Sequence, residues 1–265
     1  MTGEIKMKTA QRLLIAIFCL LLLSFGACAS ERTIEPPSSY GQSLDAAAAY
    51  AGMSDAADSP YFPRLDFFGS QSNEKGLSVI GGFKTYQQTT ETSCGPACAL
   101  MVLTHYGETS YDERGLAKSM GTLEDVAEDG QVGTSTAKMV KFFRGLGWQV
   151  QSSLASADET GNSFASPAEM RDFLVKSVRT GTPVMVENMY YGGHWRVVIG
   201  YDTMNTPQTA DDVLLLADPY DVNDHWQNGY TVENAEYFFF TWLDVGPLPD
   251  DESSQQWLIA RPAGK

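Results

Sequence analysis

The stretch "QQTTETSCGPACALMVLTHYG", Gln87 to Gly107, decides how the chain is read. A cysteine stands before Gly-Pro, and an apolar run of helical length follows. Proline is tolerated in a first turn and Gly107 supplies a stop, so the spacing predicts a helix over Pro96–Tyr106. Cys94 then lies at the helix start, where unpaired N–H groups and the helix dipole stabilise a thiolate. Gly95 behind it is expected to leave room for a substrate. Cys98 comes one turn later, among Ala97, Leu100, Met101 and Val102, and reads as a small buried hydrophobe. On one helix the two Cβ vectors run parallel, so no disulfide is expected between them.

A nucleophilic thiol needs a base, and the chain has 3 histidines. His105 ends the same helix, about 16 Å from Cys94 at about 1.5 Å rise per residue, and is excluded. His225 sits in the polar loop "DPYDVNDHWQNGY", where a solvated role is the default. His194 opens the strand-like run "HWRVVIGYD" after "YYGG", a flexible approach that leaves space beside the ring. If that run pairs with "DVLLLAD" in a hairpin closed at Tyr201 and Asp211, His194 falls opposite Asp218. Directly opposed residues have Cβ atoms about 5 Å apart, close enough for a carboxylate to orient an imidazole.

Farther out, "TSTAKMVKFFRGLG" and "YDERGLAKSM" have helical spacing, and "SPAEMRDFLVKSVRTG" opens on a capping-box pattern. "LSVIGGF", "KTYQQ", "PVMVENM" and "QWLIAR" read as extended segments. Helices dominate the first half and strands the second, which makes an α+β domain over residues 77–265. Residues 29–76, small, polar and Pro-punctuated, read as a flexible tether.

At the N-terminus, Lys6, Lys8 and Arg12 precede the apolar run Leu13–Phe25. That pattern is a secretory signal over residues 1–28, and the run falls short of the roughly 20 residues that span a bilayer. "FGAC" is a lipobox-like sequence that makes Cys28 a lipidated first residue. "ACA" at Ala27–Ala29 equally fits an ordinary cleavage site. The expected location is the bacterial cell envelope, with membrane contact only through an anchor at Cys28. A net charge of −15 leaves no basic stripe for phosphates and excludes a nucleic-acid partner.

The residues together resemble the C39-type peptidases, papain-like cysteine peptidases related to bacteriocin-processing enzymes. The resemblance rests on Gln88 six residues before Cys94, on "SCGPACALMV", and on "GGHWRVVIGYD" followed by "LADPY", and it covers about Ser78 to Asp244. It implies a papain-like fold, with the nucleophile helix in the N-terminal half and His and Asp on a C-terminal antiparallel sheet. It implies Cys94 as nucleophile, His194 as base, Asp218 as orienter and Gln88 as an oxyanion donor beside the Cys94 backbone N–H. Ser93 departs from the pattern, since processing enzymes of this type usually carry Asp there. They are also usually fused to a transporter, and this chain has no membrane bundle and no Gly-rich Lys-Ser/Thr phosphate loop, so double-glycine leader processing does not fit it.

The expected activity is hydrolysis of peptide bonds in a peptide or protein substrate, through a thioester. A thiol acyltransferase with the same residues, and a non-catalytic envelope-binding lipoprotein, are the alternatives. No cofactor or metal is expected. Cys94 and Cys98 with one histidine are too few for zinc, and Asp218, Asp221, Asn223 and Asp224 lack the spacing and glycine of a calcium loop.

Overall fold

All ten residues from Cys94 to Leu103 are buried, and they make up most of a 12-residue helix, α1 (Cys94–His105). A helix apolar on every side belongs inside a domain, and α1 is the one around which the rest is laid. It begins two residues before the expected start. Pro96 therefore takes the third helical position, whose missing N–H still costs nothing within the helix.

The structure is a computed structural model that describes residues 32–40, 46–50, 59–128, 130–154, 163–189, 192–223, 226–244 and 252–264. The signal sequence with Cys28, and also Asp224 and His225, lie outside the described residues. Among the described residues no helix is long and apolar enough to cross a membrane.

Among the described residues four further α-helices follow in chain order, α2 (Glu113–Met120), α3 (Thr136–Gly145), α4 (Pro167–Arg179) and α5 (Ala235–Thr241). Their ends obey local chemistry. Asp112, Ser135, Ser166 and Asn234 each accept a hydrogen bond from an N–H of the first turn they precede. Pro167 opens α4, and Glu169 returns a hydrogen bond to the Ala165 N–H, a close relative of the expected capping box. α5, unlike the others, interrupts a region that reads as strand.

The strands are β1 (Leu77–Val79), β2 (Gln149–Ser152), β3 (Val184–Asn188), β4 (His194–Asp202), β5 (Val213–Ala217), β6 (Tyr230–Asn234) and β7 (Gln256–Arg261). They form one antiparallel sheet in the order β2-β7-β3-β4-β5-β6, with β1 beside the end of β4. β2 and β6, at the two ends of that order, carry too few apolar residues to be read as strands from sequence. β4 is central: all of its residues but Asp202 are buried, and α1 and α4 pack against it.

The β4–β5 register differs from the expected one. Leu214 pairs with Tyr201 and Ala217 with Val197, with a bulge between Val198 and Gly200. The last pair before the turn is Asp202 with Val213; Tyr201 faces Leu214, three residues beyond the expected Asp211, and the bulge takes up one residue, leaving an offset of two beyond it. Continued past the strand end, this register puts Asp218 across from Arg196 rather than His194. His194 and Arg196 share a face, so Asp218 is the diagonal neighbour of His194, still within reach of a long side chain.

The described parts of residues 29–76 lie on the domain, contrary to the tether that their composition suggests. Thr33 bridges to Thr85, and the buried Tyr40 donates its hydroxyl to Asp112 at 2.7 Å. Ala46, Ala47 and Ala48 are buried, and Leu65, Phe67 and Phe68 pack against the core. Small and scattered apolar residues conceal such docking because they bury little area each and follow no period.

Candidate active site

Cys94 is reached through a turn that a buried acid holds in place. Glu113, fully buried in the first turn of α2, accepts hydrogen bonds from the Tyr86 hydroxyl at 2.9 Å and the Thr89 N–H at 2.8 Å. It also accepts from the hydroxyls of Thr89 and Ser93. Ser93 thus spends its hydroxyl on Glu113 and places no side-chain cap on α1. The first N–H groups of the helix are left for another acceptor. An acid at position 93 would lie against the Glu113 carboxyl group, which gives the departure at Ser93 a physical reason.

The Cys94 side chain lines a cleft of about 190 Å³, whose walls include Glu91, Thr134, Glu187, Trp195, Asp244 and Gln256. Gly95 does not leave space for a substrate as expected. A Cβ there would come 2.9 Å from Thr134 Cβ and 3.4 Å from the Trp195 ring. The glycine lets α1 approach the cleft wall, and Trp195 fixes that wall by donating its indole N–H to the Thr134 carbonyl at 2.8 Å.

Behind the thiol lies His194, 4% exposed. Its Nε2 is 2.7 Å from Asp218 Oδ1, which also accepts the Tyr220 N–H at 2.8 Å. The other ring nitrogen, Nδ1, remains for the side-chain hydrogen bond between the ring and Cys94. Burial opposes a charge on the imidazole, but the Asp218 carboxylate and the Cys94 sulfur outweigh it and push His194 up to about 9. Burial likewise opposes the charge on Asp218, and His194 outweighs it, holding the carboxyl below its ordinary value. Both effects favour an imidazolium–carboxylate pair at neutral pH.

Gln88 is placed otherwise than expected. Its side-chain amide donates to the carbonyls of Thr90 at 2.9 Å and Glu91 at 3.2 Å, which uses both of its hydrogens. Gln88 is buried and braces the turn before Cys94, and it does not line the cleft. In this arrangement its amide is not free to donate to an oxyanion. Its neighbour Gln87 has a role that sequence reasoning missed. The Gln87 amide donates to the Asp218 carbonyl at 2.9 Å and accepts the Asp221 N–H at 3.2 Å. With the bond from the Gln88 N–H to the Pro219 carbonyl at 2.9 Å, the pair ties the cysteine turn to the aspartate loop.

Cys98 is fully buried and unpaired, and burial pushes its thiol well up, so it has the inert role expected of it. His105 bonds the Gly181 carbonyl at 2.9 Å, far from the cleft chemistry. Asp221, considered above only as a calcium ligand, is fully buried and accepts the Gly229 N–H at 2.9 Å. Among the described residues no group of three or more His, Cys, Asp and Glu side chains is arranged to hold a metal ion.

The profile of the Peptidase_C39 like family matches residues 80–247, more than half of the chain. The chain belongs to the Peptidase_C39 like family. Among solved structures it is similar to the peptidase domain of Streptococcus ComA, a bi-functional ABC transporter involved in a quorum sensing pathway. The two are 18% identical, with a TM-score of 0.43, over 68% of this chain and 98% of that one. No curated protein matches. Glu113, Glu187, Asp244 and Gln256 of this C39-like protein escape sequence reasoning, since they carry no motif and meet the cysteine only through the fold.

Proposed function

We propose that this C39-like protein is a cysteine hydrolase that cleaves amide bonds of a peptide or protein substrate. The nucleophile is Cys94, the acid–base His194 and the orienting carboxylate Asp218. The observation that carries the reading is the 2.7 Å bond from His194 Nε2 to Asp218 Oδ1, joined to a side-chain hydrogen bond between the same ring and Cys94 on the cleft wall.

The Cys94 thiolate, paired with the His194 imidazolium, attacks the substrate carbonyl carbon and forms a tetrahedral oxyanion. With the Gln88 amide committed to Thr90 and Glu91, the donors for that oxyanion are the first N–H groups of α1, Cys94 among them. Collapse of the intermediate breaks the C–N bond, and His194 passes its proton to the leaving amine. His194, now neutral, takes a proton from water, whose oxygen attacks the thioester and releases the acid and the thiolate. Asp218 keeps Nε2 protonated and the ring turned toward sulfur throughout.

Labelling with a thiol-reactive acyl probe tests this. The wild type is expected to label at Cys94, Cys94→Ala not at all, and His194→Ala weakly. No labelling of the wild type refutes the hydrolase. With an added amine or thiol acceptor, transfer product in place of acid would identify an acyltransferase instead. The envelope location is part of the proposal, and metabolic labelling with a fatty acid, lost in Cys28→Ala, distinguishes a lipid anchor from ordinary cleavage.

A further inference from the structure

A second carboxyl group lies beside the thiol that the mechanism above does not use. Glu187, on β3, is 5% exposed and faces the cleft that Cys94 lines. Strand register sets it next to Trp195 on β4 and Gln256 on β7. The Gln256 amide N–H donates to Glu187 Oε2, and Gln256 is itself held by the Thr136 hydroxyl of α3. The Glu187 side chain also accepts the backbone N–H of His194 and hydrogen-bonds the carboxyl group of Asp244. Two carboxyl groups can share one hydrogen bond only if one keeps a proton. Glu187 is the more buried of the two, and burial raises its carboxyl well above the ordinary value.

Gly193, just ahead of the histidine, is pressed into this contact. It has a φ of +108°, and a Cβ there would stand 3.4 Å from both Asp244 Oδ2 and Glu187 Oε1. The backbone that carries His194 into the site is therefore fixed on one side by the Glu187–Asp244 pair. The ring of that same residue is fixed by Asp218.

We propose that Glu187 is a positioning residue for His194: its neutral carboxyl, bridging Asp244 and the His194 backbone N–H, keeps the imidazole beside Cys94. This rests on the hydrolase reading only in giving the imidazole a task. When Glu187 loses its proton, the hydrogen bond to Asp244 is replaced by repulsion and the hold on residues 193 and 194 loosens. The charged or titratable groups that face Glu187 are Cys94 from α1, His194 from β4 and Asp244 from the segment after α5. β7 and α3 place the neutral Gln256 and Thr136 against it, while Lys138 of α3 and Glu91 ahead of α1 lie elsewhere on the same cleft lining. Burial first, then Asp244 and Cys94, raise the Glu187 carboxyl well above its ordinary value, so the hold is present at low and neutral pH and is lost as pH rises.

Two measurements on the substrate-free protein test this: the pH dependence of Cys94 alkylation by iodoacetamide, mapped by mass spectrometry, and the titration of the His194 ring by NMR. Glu187→Ala is expected to slow alkylation at neutral pH about tenfold and to shift the His194 midpoint by about one unit. Glu187→Gln copies the protonated acid, with its N–H toward Asp244 and its oxygen toward Gln256 and His194. It should restore both quantities and abolish the upper inflection of the profile. Asp244→Asn should move that inflection to lower pH, because an amide no longer repels the ionised Glu187. If Glu187→Ala fails to fold, the other two variants carry the test. Glu187→Gln as slow as Glu187→Ala, or profiles that superimpose across wild type and variants, would overturn the proposal. If wild-type Cys94 does not react but His194 still follows the Glu187 variants as stated, the positioning role stands and the hydrolase reading falls.

Discussion

Replacing Asp218 by Asn removes the charge from the His194–Asp218 pair while keeping its shape. In the wild type the imidazole is driven up to about 9 against a burial penalty that acts the other way. Without the carboxylate only the penalty and the weaker Cys94 contact remain, so His194 should fall to its ordinary value of 6.5 or below. A fall from about 9 to 6.5 is worth on the order of 3 kcal/mol at about 1.36 kcal/mol per unit. The sign of the linked stability follows. A folded pKa raised above the unfolded one stabilises fully below about pH 6.5 and loses that stabilisation as pH rises through about 9. The stability gap between wild type and Asp218→Asn is therefore expected to be widest near pH 6, with its His194-linked part gone above about pH 9. NMR titration of the ring reports the midpoint, and urea denaturation across that range reports the gap. A His194 midpoint unchanged in the variant, or a gap that widens toward high pH, would refute the reasoning.

Glu113→Ala removes the acceptor of the buried Tyr86 hydroxyl and of the Thr89 N–H and hydroxyl, at about 1–3 kcal/mol each before relaxation, while the Ser93 hydroxyl can still donate to the Thr90 carbonyl. A loss of more than about 3 kcal/mol in chemical denaturation is expected, with Glu113→Gln in between. Gly95→Ala drives a methyl group to 2.9 Å from Thr134 Cβ, so a cost of about 1–3 kcal/mol and a displaced cleft wall should appear as a lower Tm and weaker probe labelling. Gln88→Ala should lower stability and labelling together, because the amide braces the Thr90–Glu91 turn; a loss of labelling alone, with Tm unchanged, would return Gln88 to the oxyanion role. Cys98→Ala is expected to leave Cys94 labelling intact at a stability cost near 1 kcal/mol.

Much of the fold could be read from local signals. Ser135, Ser166 and Gly107 bound helices as their chemistry dictates, and the β-branched runs at Val184 and His194 are strands. What escaped depends on partners distant in sequence. α5 is not expected as a helix because "EYFFF" has no helical period, and its cap at Asn234 acts only once β6 has brought the chain there. Tyr40 looked unattached because its partner, Asp112, is 72 residues away. The bulge at Ile199 altered the register by which His194 meets Asp218, yet not the face they share, since slips in even steps preserve the side of a strand.

The sequence by itself determined the helix that carries Cys98 and ends near Gly107, the inert place of Cys98 within it, and the candidacy of Cys94, His194 and Asp218, because these follow from short-range periodicity and the reactivity of residue types. Only the tertiary structure decided which polar groups meet the thiol. It turned Gln88 away to its own turn, filled the space at Gly95 with Thr134, and brought Glu187, Asp244 and Gln256 to the cleft from three separate segments. A buried carboxyl acquires its role from the hydrogen-bond donors and charges around it, and those come together only when the sheet closes over α1.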